Sequence, residues 1–162
     1  MQRSTSSLFM LAVATAVALL VSVPVAQADE RSEYVAQVEP ICKANTEANT
    51  RILKGVKGQV QKGDLAPAGQ RFIRAAGALG KAVTQIASVP QPPADAVKLT
   101  KWIGYLKSEK TYLRQIGGAL KAENKFKAQK LAVKLNNNNN KANNTVISFG
   151  FDECRIDSSR FI

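Results

Sequence analysis

The sequence contains no histidine among its 162 residues. Histidine is the commonest general base in enzymes and the commonest metal ligand in proteins. Its absence excludes Ser-His and Cys-His catalytic arrangements, the Glu-x-x-His pairs of di-iron helical bundles, and C-x-x-C-H haem attachment. The glycine patterns of nucleotide-binding loops and of hydrolase nucleophile elbows are missing too. We therefore predict a non-enzymatic protein with no metal site and no cofactor.

Cysteine is also scarce, with Cys42 and Cys154 as the two examples. In an exported chain, two cysteines predict one disulfide. Their wide separation argues against a redox site of the C-x-x-C type. A disulfide between them would close a loop spanning most of the chain.

The N-terminal segment predicts export. Arg3 is followed by an apolar run without charge from Leu8 to Val21, then by Pro24 and the small residues Ala26 and Ala28. We interpret residues 1–28 as a cleaved signal peptide and residues 29–162 as one domain, secreted or associated with the cell envelope. The alternative is that the same segment stays as an uncleaved membrane anchor; after cleavage, no transmembrane segment is predicted.

Acidic residues are rare in one part of the chain. Residues 98–134 hold ten basic residues but only Glu109 and Glu123 as acids. Such a segment attracts anionic polymers or lipid surfaces, and outside a membrane an envelope polymer or lipid is a more natural partner than a specific nucleic acid. On a helical wheel, four basic side chains of this segment share one side. This candidate anion-binding face consists of Lys107, Lys110, Arg114 and Lys121. The alternative is a merely solvated lysine-rich surface.

Apolar residues recur with helical spacing over most of the chain. The stripes predict four helices, at Tyr34–Val56, Phe72–Ile86, Leu99–Leu120 and Ala128–Phe149. Pro40 would kink the first helix or lie in its first turn. The proline-rich stretch 88–95 separates the second helix from the third.

The fourth stripe crosses a run of five asparagines, residues 136–140. The apolar positions Leu135 and Ala142 stay in phase across the run, which a linker would have no reason to do. Asparagine is a poor helix former, but burial of the flanking apolar residues can offset that cost. We predict a helix that continues through the run and stops at Gly150.

Four helices with short connections predict an all-α fold, an antiparallel up-down-up-down four-helix bundle. In this topology the start of the first helix and the end of the fourth lie at the same end of the bundle. Cys42 and Cys154 could meet there, so the disulfide would close the bundle.

Two short motifs resemble a known group of proteins. They are Y-V-x-x-x-x-P-I-C, from Tyr34 to Cys42, and F-G-F-x-E-C, from Phe149 to Cys154. Together with the proline-rich centre, they resemble functionally uncharacterised small exported α-helical proteins of actinobacteria. The resemblance implies a helical fold and an extracytoplasmic location, and it transfers no activity.

Polar residues interrupt the apolar stripes at similar predicted depths. These candidate polar-layer residues are Asn45, Asn49, Glu109 and Asn138. Buried polar groups are costly unless they are paired, so such a layer should have a reason. One interpretation is a hydrogen-bond network that sets the helix register; another is a polar cavity that binds a cation or small ligand. A third is that Glu109 pairs with Lys110 or Arg114 at the surface.

Two functions remain open from the sequence. The first is an exported binding protein that contacts anionic envelope components through its basic face. The alternative is a small-ligand or ion carrier that uses the polar layer inside the bundle. The sequence gives no indication of the oligomeric state.

Overall fold

The computed structural model describes residues 23–156, with side chains from residue 28 onward. Within this range every regular element is helical, which confirms the all-α prediction. The long helices are α1 (Val23–Leu53), α3 (Leu65–Ser88), α4 (Ala96–Lys121) and α5 (Lys125–Thr145), and a short helix α2 (Val56–Lys62) lies between the first two. Two 3₁₀ turns follow α3 and α5, at Pro93–Asp95 and Ile147–Phe149. Residues 1–22 of the predicted signal peptide lie outside the described residues, and α1 begins within its last residues.

The first predicted helix differs from the observed one at both ends, because α1 already begins at Val23 rather than at Tyr34. The sequence predicted one helix reaching Val56, whereas α1 ends at Leu53 and α2 starts at Val56. Gly55 causes the break because its φ of 82° is readily adopted only by glycine. Gly63 ends α2 in the same way, with φ 88°. Pro40 lies inside α1 without ending it.

Helices α3 and α4 form the centre of the bundle, with α1 packed on α3 and α5 packed on α4. The two central helices run antiparallel and cross closely where Gly69 faces Gly117. A Cβ built on Gly117 would lie 2.6 Å from the carbonyl oxygen of Gly69, closer than real Cβ atoms come. Glycine at both positions is therefore what allows this close approach.

Helix α5 runs through the asparagine run without a break, as predicted. Its N-terminus is capped by Asn124, whose Oδ1 accepts a hydrogen bond from the Lys127 backbone N–H at 2.8 Å. The helix ends at Thr145 rather than at the predicted stop, Gly150, which follows the 3₁₀ turn with φ 68° and redirects the chain. The segment from residue 150 to residue 156 then returns to α1.

This returning segment closes one end of the bundle. Cys154 forms the predicted disulfide with Cys42 across 112 positions of sequence. The Glu39 carboxylate of α1 accepts hydrogen bonds from the backbone N–H groups of Asp152 and Glu153, at 2.7 and 2.9 Å. The disulfide therefore joins the segment after α5 to the middle of α1, because α1 begins at Val23, well before the predicted start at Tyr34.

Aromatic and ionic contacts reinforce the same end. The ring of Phe151 stacks on Trp102 of α4 with centroids 5.4 Å apart. Arg31 of α1 binds the carboxylate of Asp95 through two hydrogen bonds, of 2.7 and 2.8 Å, and its guanidinium lies over the ring of Phe149. Asp95 is only 2% exposed, so this bidentate pair compensates a buried charge. The N-terminal half of α1 is thereby tied to the α3–α4 connection.

No helix between residues 23 and 156 is both long and apolar enough to cross a membrane.

Candidate ligand-binding cavity

A cavity of about 460 Å³ lies beside α4, between α1 and α2 on one side and α5 on the other. Most of its walls are apolar. The apolar lining residues are Leu53, Val56, Val60, Phe72, Leu113, Ile116, Leu120, Ala128, Ala132, Leu135 and Ile156. Volumes between 300 and 1,000 Å³ with mostly apolar walls are typical of small-molecule sites.

The packing of the helices explains why this space is left open. Helices α1 and α5 pack on α3 and α4, and within the described part of the chain they approach each other only sparsely. The side of α5 that faces the gap carries the small residues Ala128 and Ala132. Small side chains cannot bridge the distance to α1, and so the gap stays unfilled.

Glu109 is the charged group placed deepest in this cavity. It lies on α4 between Leu106 and Leu113 in the apolar stripe, and it is only 9% exposed. Its Oε2 accepts no hydrogen bond from any residue that the structure describes. Burial disfavours the charged carboxylate and raises the pKa of Glu109 from 4.5 to about 8. At neutral pH this carboxyl group is therefore mostly protonated.

Two asparagines accompany Glu109 on the cavity wall. Asn49 of α1 is 6% exposed, and Asn139 of α5 is 2% exposed. The Nδ2 group of Asn49 donates a hydrogen bond to Oδ1 of Asn45 at 3.3 Å, which leaves Asn49 Oδ1 as the free end of the amide. Neither Asn49 Oδ1 nor Asn139 Oδ1 has a hydrogen-bond donor within residues 28–156. Three residues that line one cavity thus each carry a buried oxygen without a hydrogen-bond partner among the described residues.

The four residues of the predicted polar layer are placed differently from one another. Asn45, Asn49 and Glu109 surround a second, smaller recess of about 50 Å³, next to the Cys42–Cys154 disulfide. Asn138 is buried as well, but its Nδ2 donates to the backbone carbonyl of Tyr105 at 2.9 Å. This bond fixes α5 against α4 one helical turn before Glu109. Asn138 itself lines neither the cavity nor the recess.

Asn139 was not predicted from the sequence, because Asn138 was expected to be buried and Asn139 to face solvent. A signal for it was present, since Asn139 follows Leu135 by four residues and therefore lies on the same helical face. Because both 138 and 139 fall near the edge of the stripe, spacing alone does not choose between them. The structure buries both, one against α4 and the other at the cavity.

Glu109 and Asn49 belong to both spaces, and so does Ile156 of the returning segment. The position of Ile156 is set by Asn143 of α5. The side-chain amide of Asn143 donates to the Ile156 carbonyl and accepts from its N–H, both at 2.8 Å. The chain that closes the bundle therefore also forms part of the cavity wall.

The mouth of the cavity carries positive charge. Lys57 of α2 and Lys125 of α5 line it, and both are exposed to solvent. No cluster of three or more acidic or sulfur ligands that could hold a metal ion occurs in the part of the chain that the structure describes.

The predicted basic face lies along the α3 side of α4. Lys107, Arg114 and Lys121 are exposed, and Lys110 is half-buried. Aliphatic carbons of Lys110 and Lys121 lie close to Gly80 and Gly69, respectively, so both stems rest on α3. None of the four is paired with a carboxylate among residues 28–156. This face belongs to a different surface from the cavity mouth.

Comparison of the chain with protein-family models, with curated proteins and with solved structures finds no match. The resemblance to exported helical proteins of actinobacteria therefore stays a prediction.

Proposed function

We propose that this protein binds a small, largely apolar molecule in the cavity between α1, α4 and α5, and that it does so outside the cytoplasm without catalysing a reaction. The observation that carries the proposal is the cavity itself, about 460 Å³ of mostly apolar wall with Glu109 as a buried polar anchor. Covering apolar wall with an apolar ligand is favourable because both surfaces leave water. A few convergent polar groups on such a wall orient a ligand.

The disulfide supports the proposed location. Bonds between cysteines persist in oxidising compartments and are rare in the cytosol. The Cys42–Cys154 bond agrees with the predicted signal peptide in favouring an exported protein. A carrier of this kind would take up its ligand in the periplasm, in the cell wall or at the cell surface.

A variant whose side chain fills the cavity tests the binding site directly. Replacing Ala132 with Phe adds a phenyl ring to the wall of α5, while Ala87→Phe adds the same ring at an exposed position of α3 outside the cavity. Binding is measured with the neutral fluorescent dye prodan, which has no hydrogen-bond donor. We expect prodan to bind the native protein and the Ala87→Phe variant alike, and to bind Ala132→Phe about tenfold or more weakly.

Two results would contradict this proposal. One is failure of prodan to bind the native protein at all. The other is equal binding to native protein and to an Ala132→Phe variant whose circular dichroism shows that it is folded.

A second candidate function is contact with anionic envelope polymer or lipid through the basic face. It is favoured by the position of the four basic side chains on one side of α4, where no described carboxylate neutralises them.

Vesicles containing phosphatidylglycerol should sediment the protein at low salt and release it as salt is raised. A variant in which glutamine replaces all four basic-face residues, Lys107, Lys110, Arg114 and Lys121, should lose this binding. Its matched control removes the same number of charges from α5: Lys127, Lys130, Lys134 and Lys141. Equal binding by the two variants would remove the basic face from consideration.

A further inference from the structure

Three residues on the cavity wall each carry a buried side-chain oxygen without a hydrogen-bond partner in the described part of the chain. The atoms are Glu109 Oε2, Asn49 Oδ1 and Asn139 Oδ1, which are buried and receive no hydrogen bond from the described residues. Buried acceptors are normally satisfied by a donor, and those left unsatisfied at a cavity call for an explanation. The amide of Asn49 cannot turn to offer its N–H₂ group without losing its bond to Asn45.

With Glu109 ionised, all three oxygens are acceptors, and a ligand that satisfies them must bring N–H or O–H donors. A primary ammonium carries three N–H donors and a positive charge, whereas a hydroxyl carries one donor and no charge. A carboxylate would place further acceptors against the existing ones. An ammonium would also restore the ionised form of Glu109, since an opposite charge favours the charged form of a carboxyl group.

We infer that the ligand of this cavity is an apolar molecule bearing a primary amine, with its ammonium group bound by Glu109, Asn49 and Asn139 and its apolar part against the walls of α4 and α5. This inference rests on the proposed function, because it names the chemical class of the molecule held in the same cavity. The anchor lies at the end of the cavity that adjoins the disulfide, where Glu109 and Asn49 also line the small recess.

Binding of an ammonium is coupled to proton release in this arrangement. The carboxyl group of Glu109 is protonated in the empty protein because burial raises its pKa to about 8. When an ammonium binds, the ion pair stabilises the carboxylate and the carboxyl proton passes to the buffer. No other covalent bond forms or breaks.

Other charged groups near Glu109 also affect the binding of an ammonium. Lys57 of α2 and Lys125 of α5 line the mouth, and Glu153 and Arg155 of the returning segment line the recess. The wall contributed by α1 carries no charge, with Asn49 and Leu53 at the cavity and Asn45 and Thr46 at the recess. The two mouth lysines are exposed, so solvent screens their repulsion of an incoming ammonium.

Three molecules with the same eight-carbon chain differ only in the charge and hydrogen-bonding capacity of the head group: octylamine, octanol and octanoate. Isothermal titration calorimetry on the disulfide-bonded protein at pH 7 should show octylamine binding about tenfold or more tightly than octanol, with octanoate weakest. Repeating the octylamine titration in buffers of different ionisation enthalpy should show that a proton is released. Octylamine and octanol should bind Glu109→Gln with similar affinity, and that variant should release no proton.

Asn139→Ala provides a second variant that keeps the carboxyl group. It should weaken octylamine binding more than octanol binding, because an ammonium loses one of its three acceptors.

The outcomes distinguish this inference from the proposed function. Equal binding of octylamine and octanol to the native protein would overturn the amine assignment while the apolar cavity site stands. Preference for octanoate would also overturn it and would point to the lysines at the mouth. If octylamine, octanol and prodan all fail to bind, the cavity site itself is wrong.

Discussion

The protonation of Glu109 predicts how the stability of the whole protein depends on pH. In the folded protein, burial raises the pKa of this carboxyl group to about 8, compared with 4.5 for an ordinary glutamate. The unfolded chain therefore releases the proton in a range where the folded protein still holds it. As a result, the contribution of Glu109 to stability is complete below about pH 4.5 and is lost as the pH rises towards 8.

The size of the effect follows from these two values. Between them, each pH unit lowers the free energy of unfolding by about 1.4 kcal/mol through this single group. At pH 7 the native protein should have lost roughly 3 kcal/mol relative to its acidic plateau. Above pH 8 both states have released the proton, and the contribution becomes constant. A domain of this size has only about 5 to 15 kcal/mol of total stability, so the loss is readily measured.

Glu109→Gln isolates the effect because glutamine has nearly the same shape and does not titrate. Urea unfolding at half-unit steps between pH 4.5 and 9 can be followed by circular dichroism or by the fluorescence of Trp102, the one tryptophan of the chain, which is fully buried. The difference between native and variant stability should fall by roughly 3 kcal/mol from pH 4.5 to pH 7. The matched control is Glu123→Gln, which removes an exposed carboxylate just after the end of α4.

Parallel stability profiles for the native protein and Glu109→Gln between pH 5 and pH 8 would refute this reasoning. Such a result would mean that Glu109 titrates alike in the folded and unfolded states. The carboxyl group would then have a polar partner or free access to water, and the amine inference would lose its anchor.

Helical periodicity predicted most of the fold because burial repeats along each helix every three or four residues. The apolar stripes located α3, α4 and α5 closely, and phase continuity between Leu135 and Ala142 correctly carried α5 through five asparagines. The proline-rich stretch correctly separated α3 from α4. The disulfide was predicted from the presence of two cysteines in an exported chain, and the bundle topology allowed Cys42 and Cys154 to meet.

The cavity could not be predicted in this way. A stripe shows which side of a helix faces inward, but it does not give the distance to the helix opposite. Ala128 and Ala132 fit an ordinary core as well as a gap, and only the observed spacing of α1 and α5 distinguishes the two. Helix α2 was missed because the apolar stripe runs on to Val56, whereas the break at Gly55 depends on its positive φ, which the stripe does not reveal.

For the polar groups as well, helical spacing identifies buried residues but not their hydrogen-bond partners. Sequence reasoning identified Glu109 because a single carboxylate in an apolar stripe stands out. It could not assign a partner to each asparagine, since partners depend on positions across helices. The side-chain amide of Asn138 donates a hydrogen bond to the Tyr105 carbonyl and so fixes the register of α5 against α4. The neighbouring Asn139 lies at the cavity instead.

Two further predictions concern the scaffold that holds the cavity. Gly117→Ala should destabilise the protein by about 1 to 3 kcal/mol in urea unfolding, because its Cβ would lie 2.6 Å from the Gly69 carbonyl, which the α3 backbone cannot easily move. The neighbouring Gly118→Ala has no atom within 4 Å of the new Cβ and should instead gain about 0.5 to 1 kcal/mol from helix propensity; equal effects would contradict the close crossing of α3 and α4. Replacing both Cys42 and Cys154 with alanine should cost about 4 to 5 kcal/mol, because the bond closes a loop of 112 residues in the unfolded chain. Reducing agent should lower the urea midpoint of the native protein in the same way and leave that of the double variant unchanged. A reductant effect on the double variant would show that the loss does not come from the disulfide.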